Sequence, residues 1–179
     1  MEMTVSGELD DIIARVGELE DEREIRYLVG RYGHYADLGY EDAWVDQWTG
    51  DGVYDLETVK RDGAGYDGPA RFEGRDALYA LIRDPAAHKR LEGRSLHVQD
   101  INLVVRIEGD TAFAHGYSMT LMREGDEVRL RGAGLVRWSF RREGGRWRIA
   151  GKTRRGIGDG SAFADTPATP AHDAARVRP

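Results

Sequence analysis

Five histidines and no cysteine bound the chemistry open to this 179-residue chain. Without cysteine there are no thiolate nucleophiles, disulfides, Cys-ligated zinc sites or iron–sulfur clusters. No serine stands in a nucleophile elbow, and no two histidines lie three or four apart on a helix, so neither serine acyl transfer nor a helical zinc site is expected. What remains is proton transfer by histidine and carboxylate. His34, His88 and His172 fall in helical or tail contexts, where surface placement is the ordinary outcome. His97 and His115 fall in alternating segments that read as strands, with one side turned inward. The candidate carboxylate is Asp37: steps of four from Ile25 through Val29 and Gly33 carry it onto the apolar side of a helix, with Tyr32 five residues earlier on a neighbouring line. A carboxylate there is costly unless paired. It can cap backbone groups at the helix end, or it can meet an inward histidine from a sheet wrapped over the helix. The second arrangement holds one imidazole tautomer, stabilises the imidazolium and makes a general base usable near neutral pH.

The elements that would position these groups follow from periodicity. Ile12, Ile13, Val16, Leu19, Ile25, Leu28, Val29 and Tyr32 recur at three- and four-residue spacing, which predicts a helix over about residues 8–38 with one buried face. The acidic run Glu18–Glu24 suggests a break or an exposed turn within it. Gly39 sits where a left-handed cap favours glycine. A short helix fits Asp42–Trp48, and Val53–Leu56 and Arg71–Glu73 read as brief strands around a polar loop, Lys60–Pro69. Gly74-Arg75-Asp76 opens a helix to about residue 84. From Arg94 the period changes to two, predicting strands Ser95–Glu108, Thr111–Glu124, Glu127–Arg142 and Arg146–Arg155 joined by short glycine turns. Helices first and an antiparallel meander second is an α+β plan. Residues 1–7 are expected to be disordered, 8–155 to form one domain, and 156–179 to be disordered or laid over the body as a lid. Gly156-Ile157-Gly158-Asp159-Gly160 has the composition of a phosphate loop but opens no apolar helix, so no dinucleotide is expected.

Charge and composition exclude other classes. The formal charge is −6, which argues against a nucleic-acid binder. No apolar run approaches the ~20 residues of a membrane span. The first residues lack a basic, apolar secretory start, so a cytoplasmic protein is expected. Residues 123–155 hold ten arginines and Lys152, scattered among apolar residues as on a solvated or subunit-facing sheet surface.

Several stretches carry a family resemblance: Ile25-Arg26-Tyr27-Leu28-Val29-Gly30-Arg31-Tyr32 running on to Ala36-Asp37, Phe72-Glu73-Gly74-Arg75-Asp76-Ala77-Leu78, Ile107-Glu108-Gly109-Asp110-Thr111-Ala112, and the closing Arg141–Ile149 segment. In order and spacing the chain resembles the SnoaL-like branch of the nuclear-transport-factor-2-like superfamily over roughly residues 8–155. The resemblance implies a cone-shaped roll of N-terminal helices packed on a curved, mostly antiparallel sheet, with a pocket inside. Scytalone dehydratase, bile acid 7α-dehydratase and hexachlorocyclohexane dehydrochlorinase, members of that superfamily, use an Asp–His pair whose positions fall on Asp37 and His97. Tyr32 and Tyr54 match tyrosine positions of such dehydratases, and His115 is a candidate counterpart of a second strand histidine. Relatives often carry an Asn four residues after the histidine. Here Asn102 follows His97 by five, so either a β-bulge absorbs the extra residue or His97 turns to the wrong face.

The implied activity is that of a cofactor-independent, metal-free lyase, isomerase or cyclase acting on a small hydrophobic carbonyl or hydroxylated metabolite. The expected pocket residues are Trp44, Trp48, Phe72, Asn102, His115, Tyr117 and Met119. Two other readings share the fold: a non-catalytic module for a hydrophobic ligand, and a small subunit like the β-chain of ring-hydroxylating oxygenases. A homodimer or homotrimer through the outer sheet face is expected, with Arg129, Arg131, Arg137, Trp138 and Arg148 as candidates for that surface.

Overall fold

The structure is a computed structural model that describes residues 5–56 and 70–157. The Lys60–Pro69 loop, the tail from Gly158 onward and residues 1–4 lie outside the described residues. The chain runs α1 (Val5–Leu38), α2 (Glu41–Val45), β1 (Trp48–Leu56), β2 (Ala70–Glu73), α3 (Gly74–Arg83), a 3-10 turn (Lys89–Leu91), β3 (Ser95–Glu108), β4 (Thr111–Glu124), β5 (Glu127–Glu143) and β6 (Arg146–Gly156). One curved six-stranded sheet has the order β2-β1-β6-β5-β4-β3. Every neighbouring pair is antiparallel except β1 and β6, which run parallel. This is the α+β roll expected from the sequence. No helix among the described residues is long and apolar enough to cross a membrane.

Helix α1 begins at Val5, within the segment expected to be disordered, and the acidic run does not interrupt it. Asp21 and Glu24 instead tie the helix to the sheet. Asp21 accepts hydrogen bonds from Arg142 Nη2 (2.6 Å) and Trp147 Nε1 (3.0 Å), and Glu24 accepts one from the Trp147 backbone N–H. Past this anchor the apolar stripe divides. Ile25, Leu28, Val29 and Tyr32 are buried against the sheet, whereas Ile12, Ile13, Val16 and Leu19 are exposed, contrary to the single buried face expected. The stripe was read correctly as helix, but the apolar side chains of its first half are not buried. Gly39, at φ +73°, ends the helix in the left-handed conformation.

Parity along the strands decides what faces α1. In β3 the pairing with β4 shifts by one residue between Val98 and Ile101 and again between Ile101 and Val104. The two shifts run in the same direction and add up to two residues, which restores the parity, so Ser95, His97, Gln99 and Leu103 all turn toward the interior. In β6 a single shift opposite Ser139–Phe140 has the reverse effect. Trp147 and Ile149 point inward, and after the shift Lys152 does so as well. The core gathers Tyr32, Trp44, Trp48, Trp138, Phe140 and Ile149 between α1 and the sheet. Trp138 is 2% exposed, so it leaves the set of outer-surface residues expected for assembly: alternation along β5 turns it inward. At the exposed start of β5, Arg129 pairs with Glu127 and Glu124, and Arg131 with Glu124.

Candidate active site

The end of α1 and the start of β3 meet through a glycine. A Cβ at Gly33 would collide with the His97 carbonyl oxygen, so only glycine allows helix and strand to approach this closely. One turn further on, Asp37 is 7% exposed and receives three groups from β3. Its Oδ2 accepts the His97 backbone N–H at 2.7 Å, and its Oδ1 lies 2.6 Å from His97 Nδ1 and 3.0 Å from Ser95 Oγ. The Ser95 hydroxyl is also 2.9 Å from the Leu91 carbonyl, so its one proton serves either acceptor. Burial pushes the Asp37 carboxyl up, but the hydrogen bonds and charge of His97, with Ser95, outweigh it and hold the pKa below the ordinary value. With Asp37 ionised, Nδ1 must carry the ring proton, and the basic lone pair is on Nε2.

His88 lies against this pair. Its ring stacks on that of His97 at 5.4 Å and 28°, and it is buried rather than on the surface as its sequence context suggested. Burial, followed by the charges of His97 and Lys152, pushes its pKa down to about 3, so it is neutral at physiological pH. Its Nδ1 is buried without a hydrogen-bond partner, as are the indole Nε1 atoms of Trp44, Trp48 and Trp138 and the Gln99 Oε1.

Rings connect the dyad to a second group. Trp44 lies 6.1 Å from His88 and 5.3 Å from Tyr32. Tyr32 in turn packs on Trp48, Tyr54 and Trp138. Tyr54, Lys152, Trp138 and Ala114 stand in register across β1, β6, β5 and β4. Burial pushes both tyrosines above the ordinary range, Tyr32 well above it, with Tyr54 beside it adding to the effect. Both therefore remain protonated donors.

The pocket residues expected from the sequence separate accordingly. Asp37, His97, Tyr32, Tyr54, Trp44 and Trp48 share the interior, and Phe72 packs partly buried against it, opposite Tyr54. Asn102 is exposed at φ +51°, inside the irregular part of β3. His115, Tyr117 and Met119 alternate with the buried Ala112, Ala114, Gly116 and Ser118, which places them on the outer face beside exposed Phe113. They do not face Asp37 and His97. Ser95, His88 and Lys152 belong to the interior and were not singled out for it. Ser95 was within reach, since a residue two before His97 shares its sheet face.

This geometry places the molecule among proteins with the nuclear-transport-factor-2-like roll, and the comparisons agree. A profile of the SnoaL-like domain matches residues 17–153, and the chain belongs to that family. An NTF2-like protein with a cystatin-like fold from Novosphingobium aromaticivorans is 30% identical, with a TM-score of 0.76 over 92% of this chain and 97% of that one. A protein of unknown function from Mycobacterium tuberculosis aligns at 22% identity and TM-score 0.64, covering 84% of this chain and 87% of its own. A Novosphingobium aromaticivorans chain assigned as the beta subunit of an aromatic-ring-hydroxylating dioxygenase aligns at 20% identity and TM-score 0.59, covering 78% and 90%. Among curated proteins none matches the sequence.

Proposed function

We propose that this protein is a cofactor-independent lyase, isomerase or cyclase in which His97 is the general base and Asp37 its orienting carboxylate. The observation that carries the reading is the 2.6 Å contact between Asp37 Oδ1 and His97 Nδ1, both side chains about nine-tenths buried. A histidine so held can take a proton from carbon next to a carbonyl on Nε2, or return one to a departing hydroxyl. Tyr32 and Tyr54, kept protonated by burial, supply donors for oxygen charge that develops during the transfer. Exclusion of water strengthens these interactions. The aromatic walls of Trp44, Trp48 and Phe72 suit a small hydrophobic carbonyl or hydroxylated compound, polyketide- or steroid-like in character.

The test is turnover of a panel of hydroxylated polycyclic and polyketide-like ketones, followed by exchange of their α-hydrogens in deuterated water. His97→Ala should lower the rate about a hundred- to ten-thousandfold. Activity within a few-fold of the parent overturns the assignment. A pocket that only binds its ligand, or an accessory subunit like the dioxygenase beta chain, needs no paired base, and turnover separates both from an enzyme. The reading includes assembly as a homodimer or homotrimer through the outer sheet face, where Phe113, Tyr117, Val128 and Leu130 are exposed. Light scattering that gives a monomer at micromolar concentration removes that part.

A further inference from the structure

Lys152 has no place in the proton transfer described above, yet its surroundings are unusual for a lysine. It is 2% exposed, on a strand whose parity changes just before it. Its Nζ lies 3.8, 4.7 and 4.8 Å from the ring centres of Tyr32, Tyr54 and Trp138, and 3.4 Å from the Tyr54 hydroxyl. No carboxylate pairs with it among the described residues. The nearest charge along the inward row of β6 is another cation, Arg154, whose Nε is 3.1 Å from Ser118 Oγ. A lysine buried as a cation normally brings a carboxylate with it. One that is desolvated and set beside a second cation is in the circumstances that make an amine nucleophilic.

We propose that Lys152 is a second reactive group of this interior, an amine that forms a Schiff base with a ketone or aldehyde ligand. The inference deepens the general-base reading and rests on it for the class of ligand, a hydrophobic carbonyl compound. The Nζ lone pair attacks the carbonyl carbon, a C–N bond forms, and the C=O π pair moves to oxygen, which takes up a proton. With that proton drawn from solvent, one Nζ proton passes to the new hydroxyl, which leaves as water while the nitrogen lone pair closes the C=N bond of an iminium. The iminium draws electrons from the adjacent C–H bond far more strongly than the parent ketone. When His97 Nε2 removes that proton, the C–H pair becomes the C=C bond of an enamine and the C=N pair returns to nitrogen. The Tyr54 hydroxyl, beside Nζ, is placed to hold the oxygen that leaves. Burial, then the charge of Arg154, keep the amine well below the ordinary lysine range, so it is available as the free base. The groups facing it are Tyr32 from α1, Tyr54 from β1, Trp138 from β5 and Arg154 from β6.

The chain has three lysines, Lys60, Lys89 and Lys152, which makes the test direct. The full-length protein is incubated with phenylacetone and sodium borohydride at pH 7.4, and the modified lysine is identified by peptide mass spectrometry. A reduced Schiff base adds the mass of the probe less one oxygen. Only about a thousandth of an ordinary lysine is unprotonated at this pH, so Lys152 should carry at least about ten times the adduct of Lys89 or Lys60. Its yield should rise less steeply with pH than that of Lys89, which rises about tenfold per unit. No adduct, an even spread over the three lysines, or modification of Lys89 and Lys60 alone overturns the proposal. The His97→Ala variant keeps the two readings apart, because it should retain the Lys152 adduct and lose deuterium exchange at the α-carbon. Exchange that depends on His97 without any Lys152 adduct leaves the base standing and removes the amine; the adduct without such exchange does the reverse.

Discussion

Asp37 and Lys152 are both buried ionisable groups in one interior, and their environments are opposite. The carboxylate is met by the His97 ring, the His97 backbone and Ser95, so the cost of removing it from water is offset and its charged form prevails. The lysine is met by aromatic faces and one phenolic hydroxyl, with a cation further along its own strand, so its neutral form is favoured. Each arrangement makes a base. In the proposed reading the paired carboxylate makes its histidine partner a directed proton acceptor, and the lysine is left as a free amine. The contrast follows from who supplies the partners. The start of β3 brings its backbone against the helix end at Gly33, while the β6 row has only side chains around it.

The largest effect is expected from Asp37→Asn, which keeps the volume and removes the charge. An amide can hold the imidazole with its proton on the wrong nitrogen, so turnover should fall by roughly ten-thousandfold with little change in the circular dichroism spectrum. A variant that keeps a tenth of the parent rate would show that the pairing does not direct the base.

Gly33→Ala acts on the same pair through the backbone. Alanine gains about 1 kcal/mol over glycine in a helix interior, but here its Cβ collides with the His97 carbonyl oxygen. Overpacking of this kind costs about 1–3 kcal/mol, so the clash should win, lowering the urea midpoint along with activity. Gly30→Ala, whose Cβ meets nothing within 4 Å, should raise the unfolding free energy by about 0.5–1 kcal/mol and the midpoint with it. Equal responses at the two positions would contradict the close approach.

Lys152→Met should stabilise the fold by about 1–3 kcal/mol, since a well-fitting apolar side chain avoids the desolvation that the lysine incurs. The pH dependence sharpens this. The folded pKa of Lys152 lies below the unfolded value, so the unfolded chain binds the extra proton and stability rises with pH until about 10.4. The parent should gain thermal stability from pH 7 to 10 by an increment that Lys152→Met lacks. Asp37 acts at the other end: its folded pKa is depressed, so its contribution is present above about 3.9 and lost as the pH falls through the folded value. His88, held neutral down to about 3, acts at acid pH as well. Stability should decline as pH falls below about 6.5, and His88→Gln should flatten that decline. A parent whose melting temperature is level from pH 6.5 to 4 would overturn it.

The long meander was legible because a period of two, punctuated by glycine turns, is a local property: β3 and β4 have the bounds expected, and β5 and β6 differ by one residue. Asp37 and His97 were legible for a related reason, an acid on an apolar helical line and a histidine on an alternating strand. Tertiary structure decided the rest. Plain alternation from Trp147 and Ile149 turns Lys152 outward, and only the shift against β5 reverses it. His88 follows Pro85 in a segment without periodicity, and its burial depends on Trp44 and His97, distant in sequence. The first half of α1 shows the converse, for its apolar spacing marks a helical face whether or not anything covers it. Periodicity along a chain records which side chains share a side. Which side is the inside depends on bulges, close approaches and the reach of other elements, and these exist only once the chain has folded.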